Sequence, residues 1–331
     1  MVYQATLLLL VSWLWQAPQT QVQITEWDVP WENTVPRDPF YGDQDHIWFV
    51  GQRGHYVGVL NPTTGEIKRY DLEDGTGPHN VVTGPDGYVW YSGNRQGHIG
   101  RLDPETGEIK KFPMPNPDAR DPHTMIFDQT GSMWFTVQGG NFVGRLNPGL
   151  EEISLIQVPT ARARPYGIVM DSKDHPWIVE FGSNKIATVD PETMELTEFE
   201  LPDADSRPRR LALTSDDMVW YVDYSRGYLG RMDPTTGDVK EWANPGGPES
   251  RPYAMAVDDN DRLWFFETSP GANRLVGFDP EREVFFSVNE IDSGGGTVRH
   301  MVYEPSTREI WCGTDTNTVG RARIPAPISD R

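Results

Sequence analysis

"GPDGYVWYSGNRQGHIGRLDPETGE", residues 84–108, holds a tight turn, a tryptophan, a polar loop, a short Ile-Gly-Arg-Leu run and a second turn. Counterparts of this unit are spread along the whole chain. Trp48, Trp90, Trp134, Trp177, Trp220, Trp264 and Trp311 stand 42, 44, 43, 43, 44 and 47 residues apart, several of them after turns such as "DQTGSMW" or "DDNDRLW". Self-similarity at such a period marks a repeat architecture, in which each unit buries its apolar face only against its neighbours.

Twelve residues before the tryptophan stand Pro36, Pro78, Pro122, Pro165, Pro208 and Pro252, with Arg299 in the seventh copy. Segments such as "NPTTGE", "DPETGE" and "DPTTGD" are turns, because Pro presets one backbone angle and Gly accepts a positive φ. Between the turns lie short alternating runs of β-branched and aromatic residues, which read as strands. Four antiparallel strands per repeat is the composition of a propeller blade, so the expected fold is all-β, a seven-bladed β-propeller. The last repeat stops after its third strand at "VGRARIP" (319–325), while "QITEWDVP" (23–30) matches the fourth strands "ELTEFELP" (195–202) and "DVKEWANP" (238–245). The N-terminal segment is thus expected to complete the last blade and leave no sheet edge exposed. That makes one domain, residues 22–326, with a short tail at 327–331, and it assigns the repeated tryptophans to packing between blades.

The formal charge of -20 argues against nucleic acid and against anionic membrane surfaces as partners, since phosphates would be repelled. A lone cysteine, Cys312, excludes an internal disulfide and thiolate metal clusters. Residues 1–21 contain no charged side chain, and the apolar run from Ala5 to Trp15 has the length of a secretory h-region and is too short to span a bilayer. The expectation is an extracytoplasmic protein, periplasmic or secreted, released from a signal peptide at 1–21, without membrane integration and monomeric.

In a four-stranded blade the loops before strand one and after strand two open on one face around the central channel. Eleven residues before each tryptophan the repeat places Arg37, His79, His123, Tyr166, Arg209, Tyr253 and His300. A position used only for packing would be apolar in every blade, so this ring reads as a pocket lining at the channel mouth. Arg37, Tyr166, Arg209 and Tyr253 are its candidate substrate contacts. His79, His123 and His300 are its candidate catalytic groups, because an imidazole is matched to proton transfer near neutral pH. Asp121, two residues before His123, is read either as an orienting carboxylate or, with Gln138, as an oxygen ligand set for a hard cation. Blades four to six also pair Arg164, Arg207 and Arg251 with Glu180, Asp223 and Glu267, which reads as repeated ion pairs or as an anion-binding rim.

The pattern P-H-x₇-G-x-x-W-F followed by I-G-R-L resembles the virginiamycin B lyase, or streptogramin B lyase, family of seven-bladed propellers, over residues 23–325. The resemblance implies opening of a cyclic depsipeptide by elimination: a histidine removes the proton next to the ester carbonyl while Mg²⁺ held by carboxylates polarises the ester. The family motif is Pro-His in the penultimate repeat, Glu-Pro-His in the last and Glu just after the last tryptophan. In register, this chain offers His300 and Asp315 but has Val298 and Tyr253 where the motif has an acid and a histidine. Displaced around the ring, the motif is met by His79, Asp121, His123 and, for the final Glu, Gln138. The expectation is a lyase-like enzyme acting on an ester or depsipeptide-like small molecule with Mg²⁺. The alternative is a non-catalytic extracytoplasmic propeller that binds a ligand or protein. A third reading, a lactonase-type hydrolase, lacks the metal-ligand pattern and blade count of that group.

Overall fold

A computed structural model describes residues 20–42, 46–269, 271 and 273–326. The expected leader lies outside the described residues except for Thr20 and Gln21, and the tail 327–331 lies outside them altogether. Strands are numbered along the chain from β1 (Gln23–Asp28) to β28 (Thr318–Arg323), and they form seven antiparallel sheets of four strands each. The all-β propeller expected from the tryptophan period is the observed fold.

The innermost strands are β2 (Pro36–Tyr41), β6 (Val81–Thr83), β10 (Pro122–Phe127), β14 (Pro165–Met170), β18 (Pro208–Leu213), β22 (Pro252–Val257) and β26 (Met301–Glu304). Five of them begin on the repeated proline, a position where the missing N–H costs no ladder bond. Inner strands of successive blades lie side by side around the axis, and β2 packs on β26 and on β27 (Glu309–Gly313), so blade one abuts blade seven. Strand β1 pairs antiparallel with β28 from Gln23 opposite Arg323 to Asp28 opposite Thr318, giving the order β1-β28-β27-β26. Main-chain bonds between the two ends of the chain therefore build that sheet, and Trp27 stacks on Trp311 with centroids 5.5 Å apart.

All seven repeated tryptophans are buried, between 0% and 5% exposed. A polar cap meets most of the indoles. Nε1 donates to Asp128 from Trp134 (3.0 Å), to Asp171 from Trp177 (3.2 Å), to Thr214 from Trp220 (3.2 Å) and to Asp258 from Trp264 (2.9 Å), each cap six residues upstream in the turn. In the last blade that position is Pro305, and the Trp311 indole N–H has no partner.

Candidate functional site: the ring of side chains in the channel

Strand geometry would send residues at successive positions to opposite faces. The inner strands break that rule where it matters. Register shifts interrupt β2 between Arg37 and Phe40, β10 between Pro122 and Met125, β14 between Pro165 and Ile168, β18 between Pro208 and Arg210, and β22 between Pro252 and Met255. A bulge re-aims side chains by opposing two residues to one. Consequently a second ring, ten residues before each tryptophan, also meets in the channel: Asp38, Asn80, Thr124 and Arg210 in blades one, two, three and five.

Arg210 spans the axis. Its guanidinium donates to Thr124 Oγ1 (3.0 Å), to the Arg299 carbonyl (3.1 Å) and to Asp38 Oδ2 (3.4 Å), tying blade five to blades three, seven and one. Asp38 is 1% exposed, sits at φ 45° and also accepts from Asn80 Nδ2 at 3.2 Å. The His79 Nδ1 atom is 3.8 Å from Asp38, and Arg37 Nε is 3.7 Å from it, while Arg37 also donates to Gln52 at 2.8 Å. Burial works to raise the Asp38 carboxyl, but the charges of His300, Arg37 and Arg210 and the Asn80 amide outweigh it and hold its pKa below the usual value.

The candidate site residues are brought together unevenly. The imidazoles of His79 and His123 lie with centroids 3.6 Å apart, and His123 lies 4.1 Å from the Tyr166 ring. Tyr166 and Tyr253 share a hydroxyl–hydroxyl hydrogen bond, and the Arg209 guanidinium sits over the Tyr253 ring at 3.8 Å and the Tyr166 ring at 5.3 Å. The ring is a packed layer, with His79 at 5% and His123 at 2% exposure. Burial first, and then nearby cations, Arg210, Arg37 and Arg209 for His123 and Arg37 and Arg210 for His79, push both well below the ordinary imidazole value. Both are neutral at pH 7.

His300 lines a cavity of about 300 Å³ that it shares with Asn80, Thr124 and Arg210 of the second ring and with Val82 and Ile126, later residues of the inner strands. Burial and Arg210 lower its pKa to about 4. Asp315, its in-register partner in the sequence, is held instead in a two-point ion pair with Arg299.

Asp121 and Gln138 do not form a cation site. The two Asp121 carboxylate oxygens accept the backbone N–H groups of Gly139 and Gly140, which makes Asp121 the cap of the loop after β11 (Met133–Val137). Among the described residues no group of three or more His, Cys, Asp or Glu side chains is gathered to hold a metal. The residues present do not fit Mg²⁺ at this position.

The expected ion pairs of blades four to six are also replaced. Glu180 accepts from Ser183 at 2.7 Å, Asp223 pairs with Arg226 at 3.2 Å and Glu267 with Arg274 at 2.5 Å, each within its own hairpin. Burial, opposed by the Ser183 hydroxyl, raises Glu180 to about 7. Among the described residues Arg164, Arg207 and Arg251 have no carboxylate ion-pair partner. Asp38, Asn80, Thr124 and Arg210 are the residues that sequence reasoning missed; the signal was present as polar side chains at one repeat position that strand alternation assigns to the blade interior.

Residues 17–265 and, in an overlapping second match, 177–322 fit the virginiamycin B lyase family model. Among solved structures, the selenomethionine-substituted virginiamycin B lyase from Staphylococcus aureus superposes with a TM-score of 0.83 at 24% identity, covering 92% of this chain and 100% of that one. A streptogramin B lyase structure gives 0.83 at 20% identity, with 92% and 98% covered. The extracellular domain of a putative hybrid two-component system from B. thetaiotaomicron gives 0.69 at 13%, covering 95% of this chain and 44% of that one. A search of curated proteins finds no match. At these identities the structural likenesses speak to the fold, whereas the family model spans nearly the whole chain. The chain belongs to the virginiamycin B lyase family.

Proposed function

We propose that the chain is a carbon–oxygen lyase that opens an ester-containing small molecule by abstraction of an α-proton, with His123 as the base. The supporting observation is the pair of neutral imidazoles 3.6 Å apart beside three guanidiniums, Arg37, Arg209 and Arg210, whose carboxylate neighbour in the layer among the described residues is Asp38. In the tautomer whose Nδ1–H donates to Thr124 Oγ1, 2.9 Å away, Nε2 of His123 carries the lone pair. In the step, Nε2 takes the α-proton, the C–H electron pair becomes the C=C bond, and the alkyl C–O bond at the adjacent carbon breaks with its pair on oxygen, so that the acyl group leaves as a carboxylate. Guanidiniums aimed at developing negative charge supply the electrostatic stabilisation that such a step requires. Asp121 takes no part.

Burial of both imidazoles favours a second reading, a binding propeller without turnover. Mass spectrometry of a depsipeptide such as quinupristin, with which a catalytically inactive variant of the S. aureus relative was crystallised, separates the two. Elimination gives an isomeric product, and His123→Ala lowers its rate by about 10²-fold or more, with turnover unaffected by EDTA. A product heavier by one water sinks the lyase reading, and no product leaves the binding reading. The uncharged apolar run at 5–15 supports an extracytoplasmic location, which the mass of the mature N-terminus tests. Among the described residues no helix is long and apolar enough to cross a membrane.

A further inference from the structure

The molecule is strongly acidic, yet its channel layer is cationic. Arg37, Arg209 and Arg210 face a single carboxylate, Asp38, and that carboxylate is engaged by Arg210 at 3.4 Å and Arg37 at 3.7 Å. Arg209 has no acidic partner. Its guanidinium is held by a hydrogen bond with Tyr166 and by ring faces: Tyr253 at 3.8 Å, Tyr224 at 4.2 Å, Phe181 at 4.3 Å and Tyr166 at 5.3 Å. Its Nε is buried and unpaired.

A second guanidinium shares that cage. Arg251, exposed on the loop leading into β22, lies 5.7 Å from the same Tyr224 ring and is hydrogen-bonded to that tyrosine, and among the described residues it makes no ion pair. Glu249, in the same loop, is exposed and acts on Arg251 only at longer range. Partly desolvated charges in folded proteins are normally paired, because an uncompensated cation forfeits hydration without a counter-charge. Cation–π contacts offset part of that cost, but two like charges on one tyrosine ring add to it. Although the chain has 49 acidic residues, none of the described ones is placed here.

We infer that the ligand of the channel mouth supplies the missing carboxylate: a small carboxylate with an apolar body, its head group between Arg209 and Arg251 and its body against the partly exposed rings of Phe181 and Tyr224. A guanidinium stacked on a ring presents its N–H edge in plane, which suits a planar carboxylate bidentately. The inference rests on the channel mouth being the ligand site of the proposed function, and is independent of whether turnover occurs there.

The test is isothermal titration of the full chain with cinnamate, with cinnamamide as the neutral isostere, and with inorganic phosphate. Cinnamate binds about tenfold or more tightly than cinnamamide, loses about tenfold in Arg251→Met, and weakens as salt is raised. Arg251 is exposed, so that variant folds where Arg209→Met, the second variant, loses its native near-ultraviolet spectrum or retains it and abolishes binding. Cinnamamide binding as tightly as cinnamate, Arg251→Met binding unchanged, phosphate outcompeting cinnamate, or no heat from any probe each overturns the carboxylate assignment. Cinnamate bound without depsipeptide opening removes the lyase reading alone, and depsipeptide opened without cinnamate binding removes this inference alone.

Discussion

Arg210 is the residue on which the channel layer depends. It is 3% exposed, and three of its N–H groups reach three other blades. Removing one partner of a buried pair leaves the other charge uncompensated, at a cost of roughly 3–5 kcal/mol. Arg210→Met is therefore expected to lower unfolding free energy by about that amount in a urea titration, and Arg210→Met with Asp38→Asn to recover part of it. Recovery is the decisive readout, because a packing defect at Arg210 would be indifferent to Asp38. The histidines and tyrosines of the first ring were legible in the sequence as polar residues at one repeat position. Asp38 and Arg210 were not, since strand alternation puts their neighbours, and not them, toward the axis.

Among elements, each blade is built on a turn that does two jobs. In blade three, Asp128 Oδ1 accepts from the Thr130 and Ser132 backbone at 2.9 Å each, while Oδ2 accepts the Trp134 indole at 3.0 Å. One carboxylate thus shapes the hairpin and satisfies the buried indole. Asp128→Ala leaves those donors unpaired, and a loss of about 2 kcal/mol or more is expected by denaturant unfolding. Trp311→Phe is the internal comparison: its indole has no cap to lose, so it costs less than Trp134→Phe. The N/D-P-x-x-G turns show how strictly the backbone is reused. Gly65, Gly107 and Gly237 sit at φ 75–78°, and where the repeat lacks glycine, Glu151, Met194 and Glu283 adopt φ 54–61° instead. Blade number, strand number and these turns follow from local sequence alone.

At the scale of the whole molecule, the ring concentrates cations and neutral imidazoles inside an acidic shell. His79, His123, His98 and His300 all have pKa values below that of a free imidazole, burial being the first cause, with His98 and His300 near 4. The unfolded chain binds these protons at about pH 6.5, whereas the folded protein does not. Stability from these groups is therefore present above pH 6.5 and is lost as pH falls toward 4, with a slope of about 1.4 kcal/mol per pH unit for each imidazole kept neutral. Thermal melts from pH 7 to pH 5 are expected to show a falling midpoint, and His98→Gln with His300→Gln to flatten that fall. An unchanged slope in the double variant removes the assignment to these two groups.

By itself the sequence determined the seven blades, their turns, the buried tryptophans and the pairing of the first strand with the last, because each depends on contacts within one repeat or between adjacent ones. The candidate site divides differently. Its first ring was readable because one position per repeat is enough to gather residues around an axis. The commitment of Asp121 to the Gly139 and Gly140 amides, the place of His300 in a cavity beside the second ring, the cross-channel bonds of Arg210 and the convergence of Arg209 and Arg251 on Tyr224 were decided only in three dimensions. The physical reason is that a bulge rotates a side chain and a ring joins residues more than a hundred positions apart, and neither leaves a trace in local periodicity.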